Sequence, residues 1–463
     1  MTEGNSLELL NQLEDILDSD PLIDEVGFIH PSQFVTLNRE AGGSLASSVR
    51  TTLQSEDGLL RPRVPEVNSS ETVFWCRDHK LGISTQVLLP LYNAAKHAFM
   101  ASLESYKSHS SVSAKKDESG GNDMSSCFSP SLYFLESKLM KHSRALLLLS
   151  CDFVTAWNSR KLVLSKKNNV QIFFGELFLS ALVLSYAPKS ESSWSHRRWV
   201  IKMLAGKCSN LREIMEKETE LVTRIVEESS GTGFSEKQKM NYRAWNHCCW
   251  LVSYMSEGQV LEELNKSRDW ARLHITDNSC FHYRTRLMLK MLEESRDKES
   301  LTGSPGHRLI VQTFVECGSI LWIEELDWNE LLIKRHIGRE ALWLHRRFLS
   351  LCWMKYFATD IHDVSCRCYH KDSTSHEISV FMHNELGLVR SCSTIPDNDF
   401  EDFQAHATFS STYILWLIKH LSESLEIELQ EKLPLGELKT VMNDICPEKL
   451  FLWHSLQGTC EST

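Results

Sequence analysis

Glycine and proline are scarce in this chain, 20 and 11 among 463 residues. Between Pro130 and Phe357 they are sparse and cluster at breaks: Pro188, Gly206, Gly231-Thr-Gly233 and Gly303-Ser-Pro-Gly306. Sustained alternation of β-branched and polar residues is lacking too, and breaks between amphipathic runs fit helix hairpins. Long apolar runs are missing. The longest, such as Ala145-Leu-Leu-Leu-Leu149, are far too short to cross a bilayer, so no transmembrane segment is expected. Positive charge is in deficit, 50 Lys and Arg against 61 Asp and Glu, a net −11. That argues against nucleic acid as the main partner, because phosphate binding needs a basic face.

The N-terminus, Met1-Thr-Glu-Gly-Asn-Ser6, is acidic and polar and lacks the marks of a signal or transit peptide. The 14 cysteines lack the even spacing of a secreted disulfide scaffold; reduced thiols and a cytoplasmic location are expected. Cys366-Arg-Cys368-Tyr-His370 has no second ligand pair at clear spacing, so no metal is expected on this chain. Cys460-Glu-Ser-Thr463 lacks the aliphatic middle of a prenylation box, and Asn68-Ser-Ser70 is a glycosylation acceptor that a cytosolic chain would not use. A P-loop, a His-Glu-x-x-His pair and a Gly-x-Ser-x-Gly elbow are all missing. The lack of any self-contained catalytic motif fits a subunit that supplies a surface.

What is present is a large core in waiting: 42% hydrophobic residues, with 13 Trp and 20 Phe that need somewhere to pack. The chain divides by composition into an N-terminal helical segment with a loop (1–106, the loop over 37–70), a flexible insert rich in Ser, Lys, Asp and Gly (107–130), a helical-repeat region (131–357), a polar loop (358–400) and a C-terminal helical extension (401–463).

The repeat is an aromatic, two residues, then usually Arg, then an apolar run. It reads Trp157-Asn-Ser-Arg160, Trp194-Ser-His-Arg197, Trp245-Asn-His-Cys248, Phe281-His-Tyr-Arg284 and Trp343-Leu-His-Arg346, the aromatics lying 37, 51, 36 and 62 residues apart. One helix pair cannot bury its apolar face alone, so stacked pairs make a continuous core. The aromatic at the start of each second helix is expected to wedge between neighbouring pairs. The Arg one turn later is expected to bond loop carbonyls or a carboxylate while its stem packs on an aromatic. Two copies depart: Phe281 replaces Trp, and Cys248 replaces Arg. The expected fold is all-α, an α-α superhelix of about five helical hairpins.

These repeats resemble the protein prenyltransferase α-subunit family, whose signature is Asn-Tyr-x-x-Trp-x-x-Arg, sometimes preceded by Pro-Lys. Asn241-Tyr242-Arg-Ala-Trp245-Asn-His matches closely, and Pro188-Lys189-Ser-Glu-Ser-Ser-Trp194-Ser-His-Arg197 keeps Pro-Lys, Trp and Arg. Pro21-Leu-Ile-Asp-Glu-Val-Gly-Phe28 and Phe74-Trp-Cys-Arg-Asp-His-Lys-Leu-Gly82 look like a divergent branch of the family.

The resemblance implies the α subunit of a heterodimeric, type III-like protein geranylgeranyltransferase. Its partner would be a β subunit of the Rab geranylgeranyltransferase type. The substrates would be geranylgeranyl diphosphate and proteins with a C-terminal cysteine. Zn²⁺ would sit in the β subunit and no cofactor on this chain. The resemblance further implies that Lys189 assists catalysis at the diphosphate and that Asn241, Tyr242 and Arg243 lie beside the substrate. A helical-repeat adaptor without prenyltransferase activity is the alternative.

Overall fold

The structure, a computed structural model of the chain, describes residues 3–34, 36, 73–117, 130–167, 169–231, 241–300, 308–357, 371–393, 401–424 and 440. The chain forms two compact units, residues 1–247 and 248–463. The expected loop over 37–70, most of the insert over 118–129, the segment with Cys366, Cys368 and His370, and the end with Cys460 lie outside the described residues, as does Asn68.

The first unit opens with helix α1 (Glu3–Ser19) and a three-stranded sheet, β1 (Glu25–Ile29), β2 (Phe74–Arg77) and β3 (Lys80–Ser84), in the order β1-β3-β2. The helical-repeat fold class holds, and this small sheet is added to it. Strands β2 and β3 form an antiparallel hairpin turned at Asp78 and His79, both with positive φ (50° and 61°), the two-residue geometry that matches strand twist. Strand β1 runs parallel to β3. It docks on the repeats through Val26 N, which donates to Ser185 Oγ (3.3 Å), and through Phe28 set edge-on against Tyr186 (5.2 Å).

Helices α2 (Leu88–Asp117), α3 (Pro130–Leu149), α4 (Val154–Leu164), α5 (Val170–Tyr186), α6 (Glu191–Ala205) and α7 (Leu211–Gly231) follow. Pro90 sits in the first turn of α2, where its missing N–H costs nothing. Helix α2 runs on through Asp117, so the insert expected from residue 107 begins as helix. Leu10 and Leu13 of α1, Leu81 and Ile83 of β3, Phe99 of α2 and Leu146 of α3 share one buried core with Trp157.

Helix α8 (Tyr242–Leu251) ends the first unit and begins the second, which continues with α9 (Glu257–Leu273), α10 (Asn278–Ser300), α11 (Arg308–Arg335), α12 (Glu340–Cys352), α13 (Lys371–Ser393) and α14 (Glu401–Ser424). Short polar side chains start the helices: Asn169 Oδ1 caps α5, Ser190 Oγ caps α6, Asn241 Oδ1 caps α8, and Ser256 with Gln259 forms a capping box on α9.

Helix α13 corrects the polar loop expected over 358–400. Phe381, Met382, Leu386, Leu388, Val389 and Cys392 are buried at helical spacing, and the Ser-, His- and Asp-rich flank before them masked that signal. With α14 it makes a sixth hairpin, where an extension beyond five was expected.

Gly338, in the turn between α11 and α12, has φ +71°, and a Cβ there would lie 2.8 Å from the carbonyl oxygen of Asp402. Its N–H donates to His406 Nδ1 (3.2 Å), which seats α14 on the turn. Gly338→Ala is expected to cost about 1–3 kcal/mol, read as a lower denaturant midpoint. An unchanged midpoint would remove this contact from the account of the second unit.

Candidate functional site

The repeat residues recur at equivalent places. Trp157, Trp194, Trp245, Phe281 and Trp343 are each the fourth residue of α4, α6, α8, α10 and α12, and all are buried. Each copy of the arginine, three residues on, is buried, grips a carboxylate and donates to a backbone carbonyl, and three of the four also reach a serine hydroxyl. Arg160 Nε and Nη2 grip Glu176 bidentately (2.8 and 2.5 Å), while Nη1 donates to Met140 O (2.7 Å) and Ser143 Oγ (2.8 Å). Arg197 grips Glu218 (2.6 and 2.6 Å) and bonds Leu177 O and Ser180 Oγ. In the second unit Arg284 grips Glu325 (2.9 and 2.6 Å) and bonds Leu264 O and Ser267 Oγ. Arg346 grips Glu385 (3.0 and 2.5 Å) and bonds Leu326 O.

A second group on the next hairpin completes each carboxylate. His196 Nε2 lies 2.9 Å from Glu176, His247 Nε2 3.1 Å from Glu218 and His345 Nε2 3.0 Å from Glu325. Tyr413 donates to Glu385 (2.6 Å), which ties the sixth hairpin into the same ladder. The preceding aromatic packs on that group: Trp157 on His196 (4.5 Å), Trp194 on His247 (4.8 Å), Phe281 on His345 (5.2 Å) and Trp343 on Tyr413 (5.6 Å). At Cys248 the guanidinium is lost. There Glu263 instead receives Tyr283 Oη (3.1 Å) and pairs with Lys266 (3.2 Å).

Electrostatics follow from burial and pairing. Burial alone would push Glu176, Glu218 and Glu325 up, but the arginine and histidine beside each pull the carboxyl down to about 2. Burial pushes His196, His247 and His345 below the ordinary imidazole value, against the pull of the same carboxylates. The rings are therefore neutral, donating through Nε2–H. The Nδ1 atoms of His196 and His345 are buried with no hydrogen-bond partner, which a protonated ring would not tolerate.

These carboxylates and histidines escaped the sequence reading. A signal existed in the first helices: Glu176-Leu-Phe-Leu-Ser180, Glu263-Leu-Asn-Lys-Ser267 and Glu325-Leu-Asp-Trp-Asn329 align in register.

The ladder in the first unit sets a row of turns side by side. Pro188 O accepts both Trp194 Nε1 (3.0 Å) and Asn241 Nδ2 (2.9 Å), so the Pro188-Lys189 turn is pinned to the start of α8. Ser190 Oγ donates to Asp152 Oδ1 (2.8 Å) in the preceding turn. Burial would raise Asp152, but hydrogen bonds from Ser190 and Ser192 outweigh it and hold the carboxyl low. Asn241 is buried and Lys189 exposed; Tyr242 is 57% exposed, too much for a residue whose role is packing. Arg243 Nε donates to Tyr242 Oη (3.1 Å), its guanidinium lies over the Tyr242 ring (5.5 Å), and Nη1 reaches Glu191 (3.2 Å). All four residues singled out from sequence thus gather at one edge of the first unit. Among the described residues no group of three His, Cys, Asp or Glu side chains could hold a metal ion, and no helix is long and apolar enough to cross a membrane.

The family model described as protein prenyltransferase alpha subunit repeat matches residues 173–204, which span α5 and α6. The ladder defines a helical-repeat fold, and the match makes its α5–α6 hairpin similar to the prenyltransferase alpha subunit repeat. The chain is similar to protein prenyltransferase alpha subunit repeat-containing protein 1 of Danio rerio, 32% identical over 238 residues that cover 47% of this chain and 55% of the relative. It is similar also to the protein of the same name of Homo sapiens, 30% identical over 239 residues (44% and 56%), and to protein 1-B of Xenopus laevis, 29% identical over 248 residues (47% and 55%). The matched stretch spans about half the length of these relatives.

Proposed function

We propose that this chain is the α subunit of a heterodimeric protein geranylgeranyltransferase and is not catalytic alone. The observation that carries the reading is the convergence of Lys189, Asn241, Tyr242 and Arg243 on one edge, with Asn241 locking the Lys189 turn in place. In this reading the partner is a β subunit of the Rab geranylgeranyltransferase type. It would hold a Zn²⁺, which when bound would favour the thiolate form of the protein substrate's C-terminal cysteine. The thiolate displaces diphosphate from geranylgeranyl diphosphate, and this chain supplies cations to the leaving group. In this reading Lys189 neutralises charge that grows on the diphosphate as the bond to carbon breaks; its exposure, two residues from the α6 N-terminus, supports that role. Arg243 adds a planar donor suited to phosphate oxygens.

Co-expression with that β subunit, followed by an assay of geranylgeranyl transfer to a protein ending in cysteine, tests the reading; failure to form a heterodimer rejects it. Lys189→Ala is expected to slow transfer about tenfold or more while leaving the heterodimer intact. A wild-type rate would remove Lys189 from the site.

A further inference from the structure

Glu191 is a carboxylate bonded to two arginines at this edge. It is the first residue of α6, where a negative charge meets the positive end of the helix. Its two oxygens are divided between two arginines from different helices: Arg198 Nη2 lies 2.6 Å from Oε1, and Arg243 Nη1 lies 3.2 Å from Oε2. The carboxylate is more exposed than either cation it joins, 53% against 19% for Arg198 and 27% for Arg243.

We infer that Glu191 is a built-in counter-anion that holds Arg198 and Arg243 in place of phosphate oxygens, and that an incoming diphosphate binds by displacing it. The inference rests on the reading of this edge as a diphosphate site and adds the means by which that site is held before it fills. The exchange is chemically balanced: two guanidinium–carboxylate contacts are given up, two guanidinium–phosphate contacts form, and no proton moves. Exposed ion pairs contribute little to stability, so the displaced pair offers slight resistance. The arriving group brings more charge and more acceptor oxygens than a carboxylate, and guanidinium forks bind such oxygens in pairs. Tyr242 supports the exchange, because its hydroxyl accepts from Arg243 Nε and its ring lies against the guanidinium, contacts that do not involve Glu191. The arginine keeps its position when the carboxylate leaves. Asp152, the other carboxylate nearby, is engaged by Ser190 and is not bonded to either arginine.

Isothermal titration of the full chain with inorganic pyrophosphate at fixed ionic strength tests this without any partner subunit. Glu191→Gln is expected to tighten pyrophosphate binding about threefold to tenfold, since the amide leaves the arginines without a competing charge. Glu191→Gln combined with Arg243→Gln is expected to lose the gain. Glu213→Gln, which removes an equal charge from the exposed face of α7, is expected to change nothing. Equal affinity for wild type and Glu191→Gln, a gain that survives loss of Arg243, a gain matched by Glu213→Gln, or no pyrophosphate binding by any variant would each overturn the inference. Heterodimer formation and prenyl transfer are measured separately, so failure here and failure of the α-subunit reading are told apart.

Discussion

Replacing Glu176 by Ala is expected to destabilise the first unit by about 3–5 kcal/mol. The substitution removes a carboxylate that two groups share, Arg160 through two hydrogen bonds and His196 through one. The guanidinium is almost fully buried, with its side chain 6% exposed, and it cannot escape to water or shed its proton. Met140 O and Ser143 Oγ still accept from Nη1, but Nε and Nη2 lose their only partners on Glu176 and keep the full cost of desolvation. The midpoint of denaturant unfolding reports the loss. Replacing both partners, Arg160→Met with Glu176→Leu, should recover much of it, because a buried pair is costly to break but not to exchange for apolar groups of like size. A double variant as unstable as Glu176→Ala would show that the clamp is worth more than its removal from water costs.

Acid should begin to destabilise the chain above the pH at which ordinary carboxylates titrate. Two sets of groups act in the same direction. His196, His247 and His345 have folded pKa values pushed below the ordinary 6.5. Below about pH 6.5 the unfolded chain binds protons that the folded chain refuses, and stability falls as pH falls. Glu176, Glu218 and Glu325 sit at about 2 against an ordinary 4.5. Their contribution is fully present above about pH 4.5 and is lost as pH drops towards 2, at roughly 3 kcal/mol for each carboxylate. Thermal unfolding followed from pH 8 to pH 4 should therefore show a plateau down to about pH 6.5, then a decline that steepens below pH 4.5. A melting temperature that stays level between pH 7 and pH 5 would show that the three histidines take up protons as readily inside the ladder as outside it.

The parts of this fold that could be read from sequence are those with a constant address. Trp157, Trp194, Trp245, Phe281 and Trp343 stand out because each is followed by nearly the same short pattern. Lys189 and Asn241 could be brought together in advance only through the resemblance, since they lie 52 positions apart and meet through the backbone carbonyl of Pro188. The glutamates of the ladder had no such address. The separation from Arg to its Glu is 16, 21, 41 and 39 residues in the four clamps, and Glu is common on helix surfaces, so charge alone does not single out a buried one. Helix α13 was hidden by its polar first half. The sheet was hidden by its brevity: strands of four or five residues, with Gly27 and Gly82 inside them, give too few alternating positions to count.

That sheet also sets an order of events during synthesis. Val26 on β1 finds its acceptor in Ser185, 159 residues later in the chain. At roughly 5–20 residues per second, the strand leaves the ribosome about 8–30 s before the end of α5 that receives it. Over that interval the sheet, whose Val26, Leu81 and Ile83 belong to the buried core, lacks the helix that receives β1. Nascent first units are thus most exposed to aggregation while translation passes from residue 84 to residue 186.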